Sequence, residues 1–290
     1  MQIANIDGRA VLLQDGRAID IAEASAGRFG PSTRAVFEDW AAFSAWEGPA
    51  ADAASTPYDP QQLEAPITDP RQIFAIGLNY RDHADEAKLA YPDDLVVFTK
   101  FASSLTGPNS EVALPSENVD WEVELVVVIG REAHRVSPEQ AREAVAGYTI
   151  GQDLSERVVQ TRGPAAQFSF GKSYPGFAPF GPAVVTADEL ANPDALAIKA
   201  VIEGPTAKAQ GTDSWTVQDG TTADLIFPVD RIISDLSQVV TLYPGDIIFT
   251  GTPAGVGLGR GVYLQPGDTL ISTIEGLGSM TNRLVGDTSS

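Results

Sequence analysis

The sequence predicts an α+β fold built on a mixed, curled sheet. Three observations lead there. Strand-like segments do not alternate regularly with helical ones, as a doubly wound fold would require. Turns are punctuated by Pro-Gly-Asp at 244–246 and again at 266–268. Helical segments are few and short.

Taken in order, residues 3–13 and 18–21 read as short strands around the turn Asp15-Gly16. In 31–46, Val36, Phe37, Trp40, Phe43 and Trp46 can share one helical face. Residues 48–66, rich in Ala, Pro and Asp, read as a linker. A small N-terminal domain with its linker is thus expected over 1–66 and a larger domain over 67–290. In the larger domain, strands are expected at 73–77, 95–98, 122–129, 148–152, 197–202, 246–250 and 269–274. Helices are expected at 82–89, 138–145 and 230–236. Ser137-Pro138-Glu139-Gln140 is the clearest helix start, with a capping serine, a first-turn proline and a glutamine at the third helical position. No internal repeat is visible.

Composition narrows the function classes. The 290 residues, 43% of them hydrophobic, suffice for a sizeable core. There is no cysteine, which excludes disulfides and thiolate metal ligands. The longest apolar runs, such as 125–129, are too short to span a bilayer. The first residues lack the basic and apolar regions of a signal peptide, so a cytoplasmic protein is expected. A net charge of −20 repels nucleic acid and anionic membranes, and neither is expected as a partner. Carboxylates are scattered along the whole chain, so most of this charge reads as solubility. An enzyme for organic acids built on such a chain would need local positive charge from a bound cation and a few basic side chains.

Several motifs fail on inspection. Gly171-Lys172-Ser173 looks like the end of a phosphate loop, but Ala166 stands where the second glycine belongs and Pro175 soon blocks the helix. Ser169 and Lys172 form a Ser-x-x-Lys pair with no companion segments. The glycines at 255, 257, 259 and 261 miss the dinucleotide spacing.

The chemistry-bearing stretch is Val119-Asp120-Trp121-Glu122-Val123-Glu124, followed by an apolar run. Strand alternation points Glu122 and Glu124 the same way. A solvated strand end is the plain reading, but the apolar run suggests burial on both faces, and a buried carboxylate pair wants a counter-ion. Asp153, at the end of the apolar segment 145–150, adds a third carboxylate. Three carboxylates and waters would suit Mg2+ or Mn2+ better than zinc. Of the two histidines, His134 lies in a polar stretch and reads as surface. His83 and Glu86 would share a helical face at i,i+3, either as an ordinary surface pair or as an imidazole oriented for general-base work.

Four blocks, 77–86, 120–130, 147–160 and 245–257, with Gly171-Lys172-Ser173 between the last two, together resemble the fumarylacetoacetate hydrolase superfamily. The resemblance covers about 71–285, and the order is similar to that of bacterial acylpyruvase-like and 2-hydroxyhepta-2,4-diene-1,7-dioate isomerase-like members. It implies a mixed β-sandwich roll behind a small N-terminal α/β domain, and a homodimer. It further implies that Glu122, Glu124 and Asp153 are metal ligands for one Mg2+ or Mn2+, and that His83 and Glu86 are a catalytic dyad on a lid helix. Lys172 and Gln160 would hold substrate oxygens; Thr252, Lys100 and Arg81 would meet substrate, Arg81 through a distal carboxylate. Gln152, Glu156-Arg157-Val158-Val159 and 175–179 depart from the common pattern, which leaves substrate identity open.

The implied activity is hydrolysis of a carbon–carbon bond in a small anionic acylpyruvate-type 2-oxo or dicarbonyl acid, passing through an enolate. A dienedioate isomerase or an oxaloacetate-type decarboxylase could use the same site. A non-catalytic module holding a structural ion is the remaining alternative.

Overall fold

A computed structural model describes residues 1–287. Its main strands are β1 (Gln2–Ile6), β2 (Arg9–Gln14), β3 (Arg17–Asp20), β4 (Ile73–Gly77), β5 (Val96–Thr99), β6 (Glu111–Leu114) and β7 (Val123–Ile129). They continue with β8 (Val145–Gln152), β9 (Ala178–Thr186), β10 (Ala197–Glu203), β11 (Ser214–Thr221), β12 (Ile247–Phe249), β13 (Thr269–Ile274) and β14 (Gly278–Gly286). A twelve-stranded mixed sheet includes the consecutive run β3-β2-β1-β9-β8-β7-β12-β4-β5, and a five-stranded sheet runs β11-β10-β13-β14-β6. Helices are short, the longest among the described residues being Val229–Val239. The α+β expectation with curled mixed sheets holds.

The apolar run of β7 explains how the sheets pack. All seven of its residues are buried. Val123, Leu125, Val127 and Ile129 enter the core shared with Ile198, Leu270 and Met280 of the second sheet. Val126 and Val128 enter a second core with Phe37, Trp40 and Phe43. A strand buried on both faces needs apolar residues at consecutive positions, which is what the run supplies. Burying each such side chain contributes about 1.5–3 kcal/mol.

The N-terminal segment joins this architecture directly. β1 pairs antiparallel with β9, so 1–66 and the larger unit share a sheet. Residues 3–13 are two strands rather than one, because Asp7 and Gly8 both take positive φ and turn the chain into a hairpin, as Asp15 and Gly16 do next. The expected helix over 31–46 is broken at Asp39 into Thr33–Glu38 and Trp40–Ser44; of the residues expected to share a face, Val36, Phe37, Trp40 and Phe43 are buried, while Trp46 lies past the second helix and is half-buried. The helix expected over 138–145 stops as Pro138–Ala141, and Val145 already opens β8.

Strand β9 was not expected. Pro179 and Pro182, the latter after a cis bond, make its sequence read as loop, yet it lies between β1 and β8. Strand β14 was not expected either, although its alternation is a strand signal, with Met280, Asn282 and Leu284 as its inward set. Among the described residues no helix is long and apolar enough to cross a membrane.

Candidate active site

Adjacent strands of the large sheet bring the site together at one end. Glu122 and Glu124 stand at the start of β7, and Asp153 follows the end of its antiparallel neighbour β8. The Asp153 N–H donates to the Glu122 carbonyl at 2.9 Å, which sets the two side by side. On the other flank β12 leads into Gly251 and Thr252. Beside it β4 leads into the helix Arg81–Glu86, which carries His83 and Glu86. The even-numbered phase of β7 therefore changes from valine to carboxylate where the second core ends.

The three carboxylates are buried, and one oxygen from each lies within 4.8 Å of the others. Lys172 Nζ donates to Glu122 Oε2 at 2.7 Å, Asp153 Oδ2 at 2.7 Å and Ser155 Oγ at 2.8 Å. Arg157 is paired with Asp120 and, at 2.8 Å, with Glu122 Oε1, and it also donates to Gln160 Oε1 at 2.9 Å. Lys100 Nζ donates to Asp153 Oδ1 at 2.5 Å and to the Lys172 carbonyl.

These pairings divide the carboxylates. Burial pushes Glu122 up, but Lys172 and Arg157 outweigh it and hold this group at about 2. Glu124 moves the other way. Burial first, then the charges of Asp153 and Glu122, push it well above the usual carboxylate range. Glu124 Oε2 accepts the Gly251 N–H at 2.7 Å, and among the described residues no ion pair reaches it.

Four carboxylates, counting Asp120, face the three cations Lys100, Arg157 and Lys172, so one negative charge is left over when all four are ionised. A divalent ion would turn that excess into one positive charge, which is how a chain of net charge −20 could hold an anion here. The all-oxygen donor set and the uncompensated Glu124 both fit such an ion, with Glu122, Glu124 and Asp153 as its holders.

Two glycines allow this packing. Gly251 has φ +102°, and a Cβ there would lie 2.8 Å from the Asn79 Cβ, so the N–H that meets Glu124 depends on glycine. A Cβ on Gly171 would lie 2.6 Å from Gln160 Cα, so only glycine lets the Lys172 segment pack against Gln160.

A cavity of about 280 Å³ opens above the triad. Its lining includes His83, Glu122, Glu124, Arg157, Gln160, Lys172 and Thr252. His83 Nδ1 lies 3.9 Å from Glu86 Oε2, and the same glutamate oxygen accepts the Gly255 N–H at 2.8 Å. Thr252 Oγ1 donates to the Val123 carbonyl at 2.8 Å and accepts from Gln218 Nε2 at 2.7 Å. Four of the expected residues lie outside the lining, Glu86 and Asp153 directly behind His83, Glu122 and Lys172, and Lys100 and Arg81 farther off. Lys100 is buried behind Asp153 and does not line the cavity, and Arg81 is exposed and outside the lining. His134 is exposed, as its polar surroundings suggest.

Sequence reasoning missed Asp120, Arg157 and Asn79. Asp120 accepts from Arg157 and from the N–H groups of Gly257 at 2.7 Å and Leu258 at 2.9 Å, tying two loops to the site. Its signal was available, since Asp120 shares the two-residue period of Glu122 and Glu124. Asn79 Nδ2 donates to the Thr250 carbonyl at 2.7 Å and anchors the chain just before the His83 helix; one buried asparagine in a loop carries no comparable signal.

Fold and site together define a class: an α+β enzyme whose large mixed sheet carries a buried carboxylate triad beneath a helix bearing a His/Glu pair. Residues 72–285 match the family model "Fumarylacetoacetate (FAA) hydrolase C-terminal", and the chain belongs to the fumarylacetoacetate hydrolase family. It is 42% identical over 225 residues to the mitochondrial oxaloacetate tautomerase FAHD2A of Homo sapiens, covering 76% of this chain and 68% of that one. Among solved structures, a Mycobacterium smegmatis protein provisionally named HpcE is 48% identical with a TM-score of 0.88, covering 99% of both chains. The maleylpyruvate hydrolase of Sphingobium sp. SYK-6, in complex with manganese(II) and pyruvate, is 30% identical with a TM-score of 0.79, covering 99% of this chain and 100% of that one.

Proposed function

We propose that the chain hydrolyses a carbon–carbon bond in a small acylpyruvate-type 2-oxo acid, with Mg2+ or Mn2+ at the carboxylate triad. The observation that carries this reading is the placement of His83, with Glu86 beside it, in the wall of the cavity that Glu122 and Glu124 line. Glu122, Glu124 and Asp153 would hold the divalent ion, which would supply Lewis acidity to the 2-oxo acid end of the substrate.

The chain's own residues do the rest. His83 takes a proton from water, and Glu86, steadied by the Gly255 N–H, supports the imidazolium that forms. The hydroxide adds to the distal carbonyl carbon, the bond to the adjacent CH2 breaks, and its electron pair passes to the pyruvate enolate. A proton returned to that carbon gives pyruvate and a second acid. Gln160 holds a substrate oxygen from the cavity wall, while Thr252, whose hydroxyl hydrogen is committed to the Val123 carbonyl, shapes that wall and does not take the substrate-binding role expected of it. Lys172 keeps Glu122 and Asp153 in place while its ammonium faces the cavity, and Lys100 supports Asp153 from behind.

A second reading is keto–enol tautomerisation of oxaloacetate, favoured by the identity to the human relative. It needs only the proton transfer and no bond cleavage. Incubation of the Mn2+-loaded protein with acetylpyruvate in 18O-water separates the two. Pyruvate plus acetate carrying one 18O supports hydrolysis. Intact acetylpyruvate, alongside accelerated decay of oxaloacetate enol without label uptake in a new acid, replaces it with tautomerisation.

A homodimer is also proposed. Edge strand β5 exposes Val97, and Phe101 and Phe170 meet edge-to-face, both exposed. Light scattering on the purified protein gives the mass that decides this.

A further inference from the structure

We infer that the substrate carries an apolar alkyl or aryl arm rather than a second carboxylate, a specificity that rests on the 2-oxo acid reading above. The cavity volume of about 280 Å³ far exceeds the roughly 10–15 Å³ that admits one water. Its floor, the carboxylates with Lys172 and Arg157, has room for the three-carbon oxo-acid end. Apart from His83, Gln160 and Thr252, the remaining wall is apolar and includes Leu78, Leu89, Phe98, Phe168, Val256 and Leu258. The change of character is abrupt, because Lys172 Nζ lies 5.2 Å from the Phe98 ring centroid and Phe98 packs edge-on against Phe168 at 5.6 Å.

Among the described residues no uncommitted Lys or Arg lines that wall to meet a distal carboxylate. The basic side chains in the lining are Arg157 and Lys172, apart from His83, and both are committed to buried carboxylates. Lys100 is behind Asp153, and Arg81 is exposed outside the lining. A second carboxylate would lose water against leucine and phenylalanine with nothing in return. An apolar arm instead gains about fourfold in affinity for each buried methylene. At the mouth, Leu89 and Leu258 are 54% and 49% exposed, and an arm lying between them would cover both.

Calorimetry on the Mn2+-loaded protein with pyruvate, 2-oxohexanoate and 2-oxoadipate tests this. The last two have the same chain length and differ by a terminal carboxylate. We expect 2-oxohexanoate to bind at least about tenfold tighter than pyruvate and than 2-oxoadipate. Leu258→Arg, at an exposed position, should reverse the preference, and Leu89→Arg serves if that variant does not fold. Equal or tighter binding of 2-oxoadipate to the wild type overturns the apolar arm and leaves the 2-oxo acid reading intact. Failure of all three ligands, pyruvate included, overturns that reading and the inference with it.

Discussion

Lys172 Nζ and Glu122 Oε2 meet at 2.7 Å in a buried site, while Glu124, two residues along the same strand, has no cation among the described residues. That inequality is what a metal site would require and a closed salt-bridge cluster would not.

Burial and the charges of Asp153 and Glu122 push Glu124 up, so metal-free folding above the ordinary carboxylate range must protonate it or bury its charge, a cost that Gln lacks. The chelator-treated Glu124→Gln variant should therefore be more stable than chelator-treated wild type at neutral pH by about 1–3 kcal/mol. Added Mn2+ should raise the melting temperature of the wild type and leave the variant unchanged. Thermal unfolding with and without Mn2+ reads both effects; equal stabilisation by Mn2+ would count against Glu124 as a ligand.

Arg157→Met should cost about 3–5 kcal/mol, because it leaves buried Asp120 without its cation and Glu122 with Lys172 alone. Urea titration measures it. A loss under about 1 kcal/mol, the size expected of a surface pair, would mean the site rearranges easily.

Gly171→Ala places a methyl 2.6 Å from Gln160 Cα. The expected cost is about 1–3 kcal/mol of stability, with kcat falling as Lys172 and Gln160 shift apart. Unchanged unfolding and unchanged kinetics would show that the approach is looser than described.

His83→Ala and Glu86→Gln should each reduce kcat, the former by about 10²–10⁴-fold, with Mn2+ affinity unaltered. Mn2+ titration followed by electron paramagnetic resonance, run beside the kinetics, separates chemistry from metal loss.

Much of this site was legible in the sequence because strand alternation is a rigid rule. Glu122 and Glu124 share a face at once, and the apolar run behind them marks burial. The strands β4 and β13 carry the same kind of signal and match the expected bounds. What was not legible depends on long-range partners. Arg157 reads as one more charged residue until Asp120 and Glu122 are seen around it, and Lys100 looks like a cavity residue until Asp153 is found in front of it. Strand β9 is hidden by Pro179 and Pro182, whose missing N–H groups are tolerated only because of where the neighbouring strands pair.

The most direct measurement is the loss of acetylpyruvate enol absorbance in chelator-treated wild type and Glu124→Gln, before and after Mn2+ is restored. The expected result is turnover abolished by chelator, recovered with Mn2+ in the wild type and absent from the variant. Turnover that ignores both chelator and substitution would contradict a metal-dependent reaction at Glu122, Glu124 and Asp153.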